Sequence, residues 1–168
     1  MARSGNFVDR HAFMHAFLGN RLERAVNVIT AQGGALLKER KCAIAPAAAS
    51  TLLFISEQPG CSMADIAGAL RMPHQVIAQR LEALEELNFI VRKADPNDGR
   101  RKVLVLTAKG KQEARRLRGV LHDANRALQA LNDELGFDAS DGALRLIEAL
   151  ERLSMSERVA ECAAEDAA

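Results

Sequence analysis

A single β-prone hairpin interrupts a sequence that otherwise favours helices. The runs "FIVRKA" and "RKVLVLT" lie on either side of "DPNDG", residues 95–99. Proline, aspartate, asparagine and glycine each favour tight turns for a different conformational reason, and two short β-prone runs around such a turn predict an antiparallel hairpin. The sequence therefore predicts a mainly α fold with one small hairpin, whose tip carries basic residues on both sides.

Three helices are predicted before the hairpin. The first begins with Pro46 in its first turn and ends near Glu57, before the pair Pro59-Gly60. The second, "MADIAGAL", follows Ser62, which is a suitable N-cap, with Asp65 at the third helical position in an arrangement like a capping box.

The third helix, "PHQVIAQRLEALEEL", begins at Pro73 after a turn at "RM". Asn88 follows it, where a left-handed residue such as glycine or asparagine ends a helix. Its predicted core face consists of Val76, Ile77, Leu81, Leu84 and Leu87. A short helix, a turn, a second helix and a hairpin in this order predict a winged helix-turn-helix, in which the second helix can enter a major groove and the hairpin is the wing.

Long helices flank this part of the chain. Apolar residues recur at helical spacing from about Val8 to Glu39, with a kink expected at "QGG", residues 32–34. After the hairpin, Thr107 is expected to cap a long helix that Gly136 ends, and a further helix is expected from about Ser140 to Leu153 or beyond. The last residues, "ECAAEDAA", are expected to fray. These helices are too long and apolar for a winged domain alone, so we expect them to pack against a partner.

The formal net charge of +1 hides two regions of opposite sign. Residues 92–118 hold ten Lys or Arg against three Asp or Glu, whereas residues 132–168 hold ten acids against three Arg. A wing near DNA needs cations for phosphate and minor-groove contact, which explains the charge at the hairpin. The basic region is compatible with binding a polyanion.

Several classes of protein do not fit the sequence. No window has the apolar length of a membrane span, and the N-terminus has no apolar run of a signal peptide, so we expect a cytoplasmic protein without a membrane partner. Three scattered cysteines indicate reduced thiols. The absence of Trp and Tyr disfavours binding to single strands by base stacking. No P-loop, G-x-S-x-G, H-E-x-x-H or dinucleotide motif is present, so neither an enzyme nor a cofactor is expected.

The sequence "DPNDGRRKVLVLTAKG", preceded by "LEALEELNFIVRK", resembles the wing region of MarR-type transcriptional regulators. The matching residues are Leu84, Glu85, Asp95, Pro96, Asp98, Gly99, Arg100, Leu106, Thr107 and Gly110. The resemblance implies that Arg100 reaches the minor groove and that Asp98 positions the basic side chains. It also implies that the flanking helices interlock with those of a second subunit.

The chain departs from the family pattern in the recognition helix. The family usually has Ser or Thr at the start of this helix, where this chain has Pro73, His74, Gln75 and Val76. Operator sequence therefore cannot be taken from a relative. Gln can bond adenine and Arg guanine in a bidentate way, although any amphipathic helix has a polar face. Arg80 has two alternatives, a pair with Glu85 or a phosphate, and Arg92 and Lys93 are either phosphate contacts or surface charges. The predicted DNA-binding residues are His74, Gln75, Gln79, Arg80, Arg92, Lys93, Asp98, Arg100, Arg101 and Lys102.

Other candidate sites are less specific. The family commonly binds small aromatic or phenolic anions between the dimer helices and the winged lobe, which in this chain implies Phe13, Phe17, Arg21 and Phe54, although core or interface packing also explains them. His11 and His15 are four residues apart, a spacing that can share zinc on one helical face, but no third ligand is evident and no metal is expected. Cys61 precedes a helix N-terminus, a location that can lower a thiol pKa, whereas free cysteine is more often a small buried apolar residue.

The sequence thus predicts a winged helix-turn-helix flanked by dimerisation helices, with divisions at residues 1–40, 41–110 and 111–168. The function implied is a homodimeric repressor that binds an inverted repeat in double-stranded DNA, with half-site centres about 10–11 base pairs apart, and that a small ligand releases. The alternatives are a winged-helix module that binds protein and an architectural module that binds DNA without sequence preference.

Overall fold

The computed structural model describes residues 6–95 and 101–165, which form eight α-helices and two strands within those ranges. A 3-10 turn over Pro46–Ala48 precedes the third helix. The elements are α1 (Phe7–Arg10), α2 (Leu18–Glu39), α3 (Ala49–Glu57), α4 (Met63–Leu70), α5 (His74–Glu86), β1 (Ile90–Ala94), β2 (Lys102–Leu106), α6 (Ala108–Leu135), α7 (Ala139–Arg152) and α8 (Met155–Glu165). The predicted mainly α fold with a small hairpin is confirmed.

Helices α3, α4 and α5 begin and end close to the predicted residues. Ser62 and Asp65 form a complete capping box at the start of α4. Pro73 is the N-cap of α5, and Asn88 after α5 has a left-handed φ of 56°. Strands β1 and β2 pair antiparallel, with Ile90 opposite Leu106. We call β1, β2 and the residues between them the wing.

A hydrophobic core joins α3, α4, α5, the wing and the first half of α6. Its fully buried side chains include Leu52, Ile66, Ile77, Leu81 and Leu117. Burying such a side chain contributes about 1.5–3 kcal/mol relative to leaving it exposed. On α5, Leu84 is also fully buried and Val76 and Leu87 are partly buried, so the predicted core face is confirmed. This packing fixes which side of α5 faces away from the core.

Glu113 is the one charged side chain that is buried among the described residues. Its carboxylate accepts hydrogen bonds from the backbone N–H of Ala43 (2.6 Å) and of Ile44 (3.3 Å), and Arg116 donates to it at 2.9 Å. A buried charge is tolerated when it is paired and hydrogen-bonded. Glu113 thereby joins α6 to the segment that leads into α3.

The N-terminal region differs from the predicted single helix. Residues 11–17 form successive turns between α1 and α2, because His11 adopts extended backbone (φ −71°, ψ 150°) and its Nδ1 accepts the backbone N–H of Phe13 at 3.1 Å. The ring of His11 also contacts those of Phe7, Phe13 and Phe17. In contrast, α2 continues through the predicted break at residues 32–34.

The C-terminal region is more ordered than predicted. Gly136, with a φ of 75°, ends α6 as expected, and α7 follows. The frayed end predicted from "ECAAEDAA" is wrong for residues 161–165, which belong to α8. The start of α8 is fixed by reciprocal hydrogen bonds between Ser154 and Glu157, and Arg158 donates to the Ala149 carbonyl at 2.6 Å.

The chain divides into two compact units, one ending at Leu121 and the other beginning at His122, so that α6 contributes to both. The first unit contains the whole winged helix-turn-helix. The predicted division into residues 1–40, 41–110 and 111–168 stays a prediction. Among the described helices, none combines the length and apolarity that crossing a membrane requires.

Candidate nucleic-acid interface

Helix α5 presents a polar face at its first two turns. Because Ile77 and Leu81 are fully buried, the side chains of His74, Gln75 and Gln79 are directed away from the core and are exposed. Pro73 fixes the start of the helix, and its carbonyl accepts the backbone N–H groups of Val76 and Ile77. The structure therefore brings three of the predicted contact residues onto one accessible surface.

Arg71 lies in the turn between α4 and α5 and was not predicted as a contact. It has a left-handed φ of 48°, an uncommon conformation for a residue with a side chain. Its side chain is exposed, and it has no ion-pair partner in the part of the chain that the structure describes. The predicted turn at "RM" could have indicated this contact, because it places Arg71 directly before the recognition helix.

Of the two alternatives for Arg80, the pair with Glu85 is wrong, and the phosphate contact stays a prediction. Arg80 instead donates to Ser50 Oγ at 3.5 Å. Glu85 is held by Arg92, whose Nε lies 2.9 Å from Glu85 Oε1. This pair joins α5 to β1, and it is Arg92 and not Arg80 that binds Glu85.

The basic residues of β1 therefore have different surroundings. Arg92 forms an ion pair with Glu85, whereas Lys93 is exposed and has no ion-pair or hydrogen-bond partner among the described residues. Exposed ion pairs contribute at most about 1 kcal/mol to stability, so the Arg92 pair orients β1 more than it stabilises the fold.

Arg101 links the wing to α4. Its Nη2 lies 2.6 Å from Asp65 Oδ2 and its Nη1 lies 3.4 Å from Asp95 Oδ2. The backbone N–H of Asp95 also donates to the Arg101 carbonyl at 2.9 Å. The sequence predicted Asp65 as a capping residue only, because 36 residues separate it from Arg101.

The pKa of the Asp65 carboxyl is lowered, first by the hydrogen bond from the backbone N–H of Ser62, then by the Ser62 hydroxyl and by Arg101. A carboxyl with a lowered pKa contributes its stabilisation above its ordinary pKa and loses it as the pH falls through the lowered value. The link between Asp65 and Arg101 is therefore present throughout the neutral and mildly acidic range.

Backbone hydrogen bonds anchor the base of the wing to the segment before α4. The N–H of Leu104 donates to the Cys61 carbonyl at 2.8 Å, and the N–H of Gly60 donates to the Leu104 carbonyl at 3.3 Å. Strand β2 thus pairs with β1 on one side and with residues 60–61 on the other. This arrangement positions the hairpin relative to α4 and α5.

Three residues close the junction between the wing and α6. Thr107 Oγ1 donates to the Asn88 carbonyl at 2.7 Å and accepts the Gly110 N–H at 2.9 Å. The predicted capping role of Thr107 is therefore confirmed. Of the remaining predicted wing contacts, Lys102 begins β2 and is exposed, whereas Asp98 and Arg100 lie outside the described residues.

The predicted ligand residues line different surfaces. Phe13 is largely exposed and Phe17 is partly buried, and both lie against the His11 ring. Arg21 pairs with Asp9 at 3.2 Å, and Phe54 lines a cavity together with Cys61 and Asp65. Their role in binding a ligand stays a prediction.

Two lesser predictions are corrected. His11 and His15 do not share a helical face, because both lie in the turns before α2. No cluster of three or more metal-ligating side chains occurs within residues 6–95 and 101–165. Burial, followed by the charge of Asp65, raises the pKa of the Cys61 thiol. Of the two alternatives for Cys61, the small buried apolar residue is therefore confirmed and the lowered pKa is wrong.

Comparison with known proteins gives consistent matches. A model of the MarR family matches residues 44–101. The HTH-type transcriptional regulator BilQ of Clostridium symbiosum (strain WAL-14163) is 30% identical over 84 residues, which are 49% of this chain and 58% of BilQ. The chain thus spans just over half the length of this curated relative.

Solved structures match more of the chain. The transcriptional repressor CouR bound to a 23-mer DNA duplex has a TM-score of 0.64 and 27% identity, over 83% of this chain and 96% of CouR. CouR bound to p-coumaroyl-CoA has a TM-score of 0.65 and 26% identity, over 85% of this chain and 97% of CouR. The fold of this chain is thus similar to that of CouR in both its DNA-bound and its p-coumaroyl-CoA-bound structures.

Proposed function

We propose that the chain is a MarR-family transcriptional regulator that binds double-stranded DNA sequence-specifically through α5 and the wing, and the match of a MarR-family model to residues 44–101 supports this assignment. The observation that carries this proposal is the exposed polar face of His74, Gln75 and Gln79, held next to a basic wing by core packing. The likeness to CouR bound to a DNA duplex supports it. The whole winged unit serves to hold these side chains in one orientation.

In the proposed complex, the N-terminal half of α5 lies in the major groove. Gln75 and Gln79 bond base edges, and adenine is the base that a Gln amide matches in a bidentate way. Arg71 and Lys93 contact phosphates, since both are exposed cations without an ion-pair partner in the described chain. Arg80, Arg101 and Lys102 flank this surface, and Arg100 with Asp98 completes the wing.

We propose a homodimer because both units present apolar helix faces to solvent. On α2, Leu18, Leu22, Val26 and Ile29 lie on one face and are each at least 42% exposed. In the second unit, exposed apolar residues recur at the same spacing on α6 and α7. They are Leu128, Leu131, Leu135, Leu144, Ile147 and Leu150. Exposed apolar stretches of this extent are typical of protein interfaces.

A two-fold dimer would place its two α5 helices about 34 Å apart, in successive major grooves. The operator is therefore an inverted repeat with half-site centres about 10–11 base pairs apart. Bound near a promoter, such a dimer excludes polymerase, so the proposed activity is repression. Release by a small aromatic or phenolic ligand is supported by the likeness to CouR bound to p-coumaroyl-CoA.

The proposal is tested by selecting bound duplexes from a random DNA pool with the full chain. We expect an enriched inverted repeat with the stated spacing. Binding of the selected duplex is then measured for the wild type, Gln75→Ala and the matched control Glu86→Ala, which removes an exposed side chain from the last turn of the same helix. Gln75→Ala should lose about 1–3 kcal/mol of discrimination at one base pair, and the control should keep it.

Three further results distinguish the alternatives. Lys93→Ala should weaken binding to all sequences and reduce the salt slope by about 1, as expected for a phosphate contact. An unenriched pool with strong salt-dependent binding would indicate an architectural protein. The absence of duplex binding by the folded chain would refute the proposal and favour a protein-binding module.

A further inference from the structure

A cavity of about 450 Å³ lies in the first unit, where α3, β2 and α6 meet. Lys111, Arg115 and Arg118 line one side of it from a single face of α6, and all three are exposed, so the cavity opens at the surface. Arg118 pairs with Glu57 at 3.4 Å, whereas Lys111 and Arg115 have no ion-pair or hydrogen-bond partner among the described residues. We call this surface the α6 groove. Its apolar wall consists of Ile55, Pro59, Val105 and Leu106.

Helix α8, in the second unit, presents a complementary pattern. Met155, Val159 and Cys162 are spaced by four and three residues and therefore form an apolar stripe on one face of the helix. Met155 is 62% exposed and Val159 is 64% exposed, and Cys162 is exposed as well. Glu161 and Glu165 lie beside the stripe, exposed and without an ion-pair or hydrogen-bond partner in the described part of the chain. Neither the proposed DNA-binding surface nor the proposed dimer faces include this helix.

We propose that the α6 groove binds helix α8 of a second copy of this chain. Amphipathic helices bind in apolar grooves through residues that recur at this spacing. The apolar stripe packs on the apolar wall, and the two glutamates pair with the two unpaired cations. Four residues separate the charges on each helix, which is a rise of about 6 Å in both, so helices that lie side by side form both ion pairs together. The occupant is a second copy because the groove and the stripe are each exposed within one chain.

The distribution of charge along the chain supports this occupant. Residues 92–118, which include the groove cations, hold ten Lys or Arg against three acids. Residues 132–168, which include α8, hold ten acids against three Arg. Complementary charges favour encounter and exclude wrong partners, while exposed ion pairs add little affinity. The apolar stripe therefore supplies most of the affinity, and the charges select the partner and weaken their contribution as salt is added.

The contact is tested by cross-linking of the full chain, because native Cys162 lies on the stripe. Ser56→Cys places a second thiol in the lining of the groove, and a short bismaleimide joins thiols that lie close together. Isotopically light and heavy chains are mixed, so that mass spectrometry distinguishes links between two chains from links within one. We expect a product that joins position 56 to Cys162 with mixed labels.

The matched control is Glu86→Cys, an exposed position at the end of α5 outside the groove. It should form at least about tenfold less of the mixed-label product, because thiols held together react at an effective concentration far above that of free chains. A comparable yield from both variants would overturn the proposal. Links confined to single chains would overturn it as well, because the occupant would then be the chain's own helix.

Charge reversal tests the recognition in the Ser56→Cys background. Lys111→Glu with Arg115→Glu should lower the mixed-label yield at least about tenfold, because two attractions become repulsions. Glu161→Lys with Glu165→Lys should have the same effect. All four substitutions in one chain should restore the yield, since the pairs form again with exchanged signs, and this also excludes misfolding as the cause of the losses.

A fourfold variant that stays at the lowered yield would overturn the proposed pairing. The docking goes beyond the proposed function and does not depend on it, because no DNA takes part in the experiment. Failure of DNA binding is therefore recognised separately, in the selection of duplexes.

Discussion

Among the glycines that the structure describes, Gly110 has the least room for a side chain, and Gly110→Ala tests the junction of the wing and α6. A Cβ at this position would lie 1.9 Å from the Phe89 carbonyl oxygen and 2.7 Å from its carbonyl carbon. Both are backbone atoms, so no rotamer change relieves the contact. Phe89 itself is 1% exposed and packed in the core, and its carbonyl accepts the Thr107 N–H at 3.0 Å.

The expected cost follows from three contributions. Forcing a methyl group into a packed site costs about 1–3 kcal/mol. Displacing the Phe89 carbonyl loses about 0.5–1.5 kcal/mol from its hydrogen bond to Thr107. Alanine offsets at most about 1 kcal/mol of this cost, because its helix propensity is higher than that of glycine. The free energy of unfolding should therefore fall by about 0.5–4.5 kcal/mol, with a central value of about 2.5 kcal/mol, which corresponds to a melting temperature lower by several degrees for a chain of this length.

The assay is thermal and denaturant unfolding at one fixed protein concentration. Gly119→Ala is the matched control, since it makes the same change in α6 and its Cβ would meet no described atom within 4 Å. The control should be neutral or more stable by up to about 1 kcal/mol. If Gly110→Ala unfolds at the same denaturant concentration as Gly119→Ala, the close approach to Phe89 is refuted.

Three more outcomes are expected. Glu113→Ala should destabilise the chain by about 2–4 kcal/mol, because the N–H groups of Ala43 and of buried Ile44 lose their acceptor. Glu113→Gln, which keeps an acceptor, should cost less in the same denaturant titration. Arg101→Ala should change the free energy of unfolding by less than about 1 kcal/mol. The same variant should weaken DNA binding about tenfold in fluorescence anisotropy. An unchanged DNA affinity would refute the role of the Arg101–Asp65 ion pair in positioning the wing for DNA. Near pH 8, iodoacetamide should modify exposed Cys162 first. Burial raises the pKa values of Cys42 and Cys61 and so lowers the fraction of each thiol that is ionised. Mass spectrometry that showed Cys61 modified before Cys162 would contradict this order.

Local signals in the sequence were sufficient for most element boundaries. The capping box at Ser62, the left-handed residue Asn88, the cap at Thr107 and the helix end at Gly136 each act within a few residues. Interactions of this range can be inferred from residue types and spacing alone.

The contacts that orient the wing could not be inferred in this way. Arg101 with Asp65 and Arg92 with Glu85 join separate elements, and their geometry depends on how α4, α5 and the hairpin pack. Cys61 shows the same limit, because its location before a helix suggested a lowered pKa while tertiary burial raises it. Periodicity also missed the break before α2, where the His11 ring competes for a backbone N–H.

The most direct test of sequence-specific DNA binding is the ratio of two dissociation constants, measured at about 0.15 M salt for the selected duplex and for a scrambled duplex of equal length and composition. We expect the selected duplex to bind at least about 10³-fold more tightly, as is typical of specific complexes at physiological salt. A ratio near one would contradict base recognition by α5, even if both duplexes bound tightly.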